Sequence, residues 1–184
     1  NTSSGDRVVG TNAQPLSIYD GQGNRLVRTQ ETAIGNFCAD AFRIVLDTDI
    51  AFINGGGIRD SISQGEVSFN DLKAVFPFGN TASIGSMTGR QLLDVLEFSV
   101  SQLPNESGEF LHVSGMKFEA DASIPSPVYT DGNGLFVGVD DTGRRVSNAQ
   151  ILNKEGTYEP IDLNRTYTIA GFNYHLVDGG GLGI

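Results

Sequence analysis

The period of the apolar positions changes several times along the first half of the chain, and each change marks an element. Residues 8–28 alternate in short runs on either side of Asp20-Gly21-Gln22-Gly23-Asn24, with alternation resuming from Arg25 to Arg28. That pattern predicts strands around a turn. From Gly35 to Asp47 the apolar residues Phe37, Cys38, Ala41, Phe42, Val45 and Leu46 recur at helical spacing and form the stripe of a predicted helix. Ile50 to Ile53 is uninterrupted and predicts a buried strand. Ser68-Phe69-Asn70-Asp71 carries capping spacing and opens a short helix toward Val75, which Pro77 stops. Ala82 to Met87 predicts a strand. Thr88-Gly89-Arg90-Gln91 is a second capping box, and Leu92, Leu93, Val95, Leu96 and Val100 carry its helix to about Leu103.

After Gly108 the texture turns to strands: Leu111 to Val113, Met116 to Ala120, Leu135 to Val139 and Tyr167 to Phe172, separated by Gly and Asp turns such as Asp131-Gly132-Asn133-Gly134. Helices near the front and strands near the back predict a mixed α/β domain without strict βαβ alternation. A length of 184 residues predicts one domain over 1–184. The polar Asn-Thr-Ser-Ser start and the stop after Gly183-Ile184 read as a piece of a longer protein.

Composition adds exclusions. A net charge of −10 argues against a nucleic-acid polymer as partner, which needs a basic footprint, but leaves room for one small anion held by local arginines. No apolar run reaches the length of a membrane span. The single cysteine, Cys38, lies in the apolar stripe and reads as a core residue, not a reactive thiol. The two histidines, His112 and His175, stand far apart in sequence, and no metal-ligand spacing, nucleophile elbow, phosphate loop or dinucleotide fingerprint occurs. The chain therefore reads as a binding unit without a reaction centre or a metal of its own.

The strongest binding candidate is Phe52-Ile53-Asn54-Gly55-Gly56-Gly57-Ile58-Arg59-Asp60, where a buried strand runs into three glycines flanked by a polar tip, Asn54, and a cationic one, Arg59. Glycine lets backbone approach a ligand closely; a tight turn explains the same run equally well. Arg59 has a surface acid as its plain alternative partner. Phe78, between Pro77 and Gly79, is either core or a loop ring able to stack on a base. Tyr174, between Asn173 and Gly179-Gly180-Gly181 on a second glycine-rich loop, is either a half-buried surface tyrosine or a second ring able to stack on a base.

Several of these stretches occur together, in order: Ile34-Gly35-Asn36-Phe37-Cys38-Ala39-Asp40-Ala41, Ile53 to Ile62, Gly65-Glu66-Val67-Ser68, Val75-Phe76-Pro77-Phe78-Gly79-Asn80, Gly108 to Gly115, and Asn173-Tyr174 with Gly179-Gly180. From about Arg28 to the end, the chain resembles the C-terminal domain of the 5′-nucleotidase family, which includes ecto-5′-nucleotidase and bacterial UDP-sugar hydrolase. The resemblance implies a mixed sheet with a few packed helices that binds the nucleoside part of a nucleotide. It implies that Phe78 and Tyr174 stack on the base from opposite faces. Asn54 would meet the base edge, with Gly56 beside it, and Arg59 the ribose or phosphate side. Arg28 matches a further substrate-reaching arginine of the bacterial members. It also implies an N-terminal metallophosphoesterase domain in the same polypeptide, with two divalent metal ions, and a secreted, periplasmic or cell-wall location.

One departure stands out. The family's terminal loop reads Gly-Gly-Asp-Gly, with its Asp on the ribose hydroxyls. Here Gly181 takes that place, and Asp178 precedes the glycines. Either Asp178 substitutes from a shifted loop or ribose recognition is weakened. Hydrolysis of nucleotides to nucleoside and phosphate is the expected activity of the parent protein. The alternatives are a 2′,3′-cyclic phosphodiesterase, a UDP-sugar hydrolase, and a non-catalytic surface module with a decayed site.

Overall fold

The structure, a computed structural model, describes residues 7–178. In chain order the strands are β1 (Val8–Asn12), β2 (Ile50–Asn54), β3 (Gly65–Ser68), β4 (Ala82–Thr88), β5 (Leu111–Ser114), β6 (Met116–Ala120), β7 (Val128–Thr130), β8 (Phe136–Val139), β9 (Val146–Leu152), β10 (Tyr158–Pro160) and β11 (Thr166–Phe172). The helices are α1 (Ala33–Leu46), α2 (Phe69–Val75), α3 (Gly89–Val100) and the single turn α4 (Asn173–Leu176).

A four-stranded sheet in the order β4-β11-β2-β5 forms the centre. Only the β11–β2 pair is parallel. Every residue of β2 is buried. Ile50 and Phe52 join the cluster under α3, while Ile53 joins the cluster under α1. A strand covered on both faces needs no polar alternation, which is why Ile50 to Ile53 reads as continuous apolar sequence. A three-stranded sheet, β10-β9-β6, and two two-stranded antiparallel pairs, β1-β3 and β7-β8, complete the domain. The expected mixed α/β architecture is what the chain adopts.

The two capping boxes form as read. The Ser68 hydroxyl accepts from the Asp71 N–H while the Asp71 carboxylate accepts from the Ser68 N–H, and Thr88 and Gln91 do the same for α3. The α1 stripe differs from expectation. Ile34, Gly35, Cys38 and Ala39 face the core, whereas Phe37 and Val45 are exposed, Val45 by 80%. The reason is close packing: a Cβ on Gly35 would sit 1.9 Å from His112 Nδ1, so this glycine sets which face of α1 lies on β5. Burial raises the Cys38 thiol to about 12, which makes it an inert core residue at neutral pH.

Helix α3 stops at Val100, short of Leu103, because a buried arginine gathers its end. Arg145 Nη1 donates to the carbonyls of Val100, Ser101 and Leu103, and its Nε donates to Ile124 O at 2.6 Å. The buried Glu97 carboxylate accepts from the Arg145 and Val146 N–H groups. Arg145→Met should therefore lower the unfolding free energy by about 2 kcal/mol, since several buried carbonyls lose a charged donor. Urea unfolding measures this, and a midpoint equal to that of the parent chain would refute the capping role.

Candidate functional site

Topology gathers the candidate loops. Because β2 and β11 run parallel, their C-terminal ends share one edge of the sheet. β4 is antiparallel to β11 and β5 to β2, so both begin at that edge, with Ala82 opposite Phe172 and Leu111 opposite Asn54. Residues 54–59, 76–81, 107–110 and 173–178 therefore converge at one place, outside the carboxyl ends of two strands, where α/β sheets hold ligands.

Asn173 ties two of these loops together. Its N–H donates to Thr81 O at 2.9 Å, and its Oδ1 accepts from the Thr81 N–H at 2.8 Å. This fixes the turn that carries Phe78 beside the helix that carries Tyr174. Both rings reach solvent, Phe78 at 61% and Tyr174 at 40% exposed. The Arg59 guanidinium lies 5.6 Å from the Phe78 ring centroid, a cation–π distance, and the Arg59 N–H is bonded to Val75 O.

Arg28 enters from the other side. Its carbonyl accepts from the Ser107 N–H, and its Nε is buried with no hydrogen-bond partner. Burial first, and then the positive charges of Arg25 and Arg59, hold its guanidinium below the ordinary value; Glu106 pulls the other way. Arg25 is matched by Glu106 at 2.7 Å. Among the described residues neither Arg28 nor Arg59 has an ion-pair partner. In a chain of net charge −10, this leaves a local positive spot suited to a small anion.

The residues of this edge belong to a recognised pattern: the 5′-nucleotidase C-terminal domain family model matches residues 8–183. The chain belongs to that family. It is 32% identical over 169 residues to the trifunctional nucleotide phosphoesterase protein YfkN of Bacillus subtilis, covering 90% of this chain and 10% of that protein. A 5′-nucleotidase of Vibrio parahaemolyticus is 31% identical over 154 residues, covering 82% of this chain and 27% of that protein. The crystal structure of a 5′-nucleotidase precursor from Thermus thermophilus superposes with a TM-score of 0.78 at 31% identity, over 95% of this chain and 31% of that one. The chain thus spans about a third or less of each of these relatives.

Within this 5′-nucleotidase C-terminal domain the glycine run serves the protein itself. A Cβ on Gly55 would lie 2.0 Å from Val27 O, one on Gly56 2.9 Å from Gly108 O, and one on Gly57 2.8 Å from Asn54 Oδ1. The close approach inferred from the glycines is met by neighbouring strands and loops of the same chain. Asn54 is likewise not an exposed tip: it is buried, and its Nδ2 donates to Gly108 O at 2.8 Å. Asp178 is exposed, and its carboxylate accepts from Asn173 Nδ2 at 2.9 Å. Gly179 to Ile184, including the Gly181 departure, lie outside the described residues.

Sequence reading missed two groups. The first is the Asn173 clamp, whose only signal is an amide residue directly before the loop aromatic. The second is Glu109, in Gly108-Glu109-Phe110, which reaches Nε2 of the buried His175 at 2.8 Å. The other histidine is structural. His112 Nε2 donates to Val27 O, and burial holds the imidazole below its ordinary value, so it stays neutral in the core.

A cleft of about 500 Å3 opens elsewhere, between α1 and the consecutive strands β5 and β6. None of Asn54, Arg59, Phe78 or Tyr174 lines it. Its polar wall is satisfied internally, with Arg43 Nε donating to Ser114 Oγ and Ser114 Oγ donating to Asp40 Oδ1. Among the described residues no three of His, Cys, Asp and Glu converge as a metal site, and no helix is long and apolar enough to cross a membrane.

Proposed function

We propose that this domain holds the nucleoside part of a nucleotide for a 5′-nucleotidase, with the phosphate directed toward Arg28 and Arg59. The observation that carries this reading is the placement of two solvent-reaching rings and two unmatched guanidinium groups at one sheet edge. Rings offer a face to any base. Guanidinium groups suit a phosphate by charge and by geometry. Asn54 contributes by holding Gly108, which shapes the wall between the rings, in place of a direct contact to the base edge. Asp178 is the acidic residue nearest in sequence to the position of the family's ribose-binding Asp, and its carboxylate is the candidate for that contact.

The described residues offer no donor set for the two divalent metals expected of the family. The metals, and the chemistry they supply, belong in this reading to a metallophosphoesterase domain elsewhere in the same polypeptide. The parent protein hydrolyses nucleotides to nucleoside and phosphate, and it acts outside the cytoplasm in the periplasm or at the cell wall.

Calorimetric titration of the 184-residue chain tests the reading. AMP should bind more tightly than adenosine, and added salt should shrink the difference, because exposed charges are screened over about 8 Å at physiological ionic strength. No phosphate should be released from AMP with Mg2+, Mn2+ or Zn2+ present. A folded chain that binds neither ligand at millimolar concentration would instead favour a surface-interaction module, and phosphate release would overturn the division of labour.

A further inference from the structure

We propose that His175 and Glu109 form a positioning pair that seats the Tyr174 ring, an inference that rests on Tyr174 stacking against a base. The helix carrying Tyr174 is four residues long and has no side-chain cap at its start. Such a turn has little stability of its own. Among the described residues, Leu176 packs it beside Gly85 and Gly171, and two hydrogen-bonded ties orient it. Asn173 holds it to Thr81 on the Phe78 side. His175 holds it to Glu109 on the other side, through Nε2 and Oε2 at 2.8 Å. A carboxylate oxygen only accepts, so Nε2 carries the proton.

The imidazole sits between the core and the exposed ring. Its centroid is 4.7 Å from that of Tyr174 at 73°, and 6.4 Å from that of Phe52 at 75°, both edge-to-face. His175 is almost completely buried, and its Nδ1 has no hydrogen-bond partner. Leucine would fill such a space without leaving a polar atom unpaired. What leucine could not supply is the bond to Glu109.

Glu109 is itself pinned. Its N–H donates to Ser107 Oγ, the preceding carbonyl of Gly108 accepts from Asn54 Nδ2 and Gly56 N, and the following carbonyl of Phe110 accepts from Gly55 N. The pair therefore transmits the position of the glycine loop to the Tyr174 ring. Neither residue touches the ligand in this arrangement; both act through Tyr174.

A double-mutant cycle on the 184-residue chain, with adenosine titrated calorimetrically, tests this. Glu109→Ala should weaken adenosine binding roughly three- to tenfold, the worth of one hydrogen bond. Glu109→Gln, whose amide oxygen still accepts from Nε2, should restore most of the affinity. In a Tyr174→Ala background, Glu109→Ala should cost nothing further, since interacting residues are not additive. Additive losses, or no loss in Glu109→Ala while Tyr174→Ala weakens binding, would overturn the positioning role and leave stacking intact. No loss in Tyr174→Ala would remove stacking itself. Without ligand, the ring-current shifts between Tyr174 and His175 protons in the NMR spectrum should collapse in Glu109→Ala and persist in Glu109→Gln. Unchanged shifts in Glu109→Ala would refute the pair directly.

Discussion

Gly55→Ala should destabilise the chain by about 3 kcal/mol or more, the upper range for forcing a methyl group into a packed site. The new Cβ would lie 2.0 Å from Val27 O and 2.9 Å from its carbonyl carbon. Backbone cannot rotate aside as a side chain can. The carbonyl it would strike also accepts from His112 Nε2, so moving it disturbs a second buried bond. Gly56→Ala and Gly57→Ala should cost less. The first meets Gly108 O at 2.9 Å, and the second meets Asn54 Oδ1 and the Phe172 ring edge at 2.8 and 2.9 Å, which have some freedom to shift. Urea unfolding of the three variants should rank Gly55→Ala as the most damaging. Equal and small effects would mean that the glycines are kept for a ligand and not for the fold.

That ranking bears on what the sequence can say. Features set by neighbours in the chain were legible. The capping boxes at Ser68 and Thr88 need residues three apart, and they form as written. The turn at Asp20 to Asn24 closes through the Asp20 carboxylate, which accepts from the Gln22 and Asn24 N–H groups. Strand β2 was legible because burial on both faces leaves an unbroken apolar run. Strands β3, β7, β9 and β10 were not. β9 pairs with β6 across a bulge, carries Asn148 with a φ of 51°, and buries only Val146 and Ile151. β10 is three exposed residues ending in Pro160.

The site divides the same way. Its residue types could be read from short motifs, but which of them face inward could not. Asn54 turned to Gly108, a residue 54 positions away, because the partner of a loop amide depends on tertiary packing. The glycines after Tyr174 predict a loop, yet Tyr174 lies on a helical turn, since α4 depends on distant groups, Thr81 and Glu109, for its position. What gathers Phe78, Tyr174 and Arg59 is the strand order β4-β11-β2-β5, which no local pattern announces, and Arg28 joins them through the bond from the Ser107 N–H to its carbonyl.

If both rings hold a base, Phe78→Ala and Tyr174→Ala should each weaken adenosine affinity by about 1–3 kcal/mol, the usual worth of stacking one base on an aromatic side chain. Phe78 is mostly in solvent, so the unfolding midpoint of Phe78→Ala should stay near that of the parent chain, whereas Tyr174 is more than half covered and packs on His175, so Tyr174→Ala should lower it. The two variants should differ in their salt response. Phe78 shares its ring with the Arg59 guanidinium, so its loss also releases a charge that the ring orients. Phe78→Ala should therefore lower the advantage of AMP over adenosine, whereas Tyr174→Ala should leave that advantage intact. Phe78→Leu separates stacking from simple burial, because leucine keeps the apolar volume but has no flat face. Affinity restored by leucine would reduce the ring to an apolar wall. Unchanged affinity in both alanine variants would remove the sandwich, and the exposed rings at this edge would then need a protein partner, not a base, to explain them.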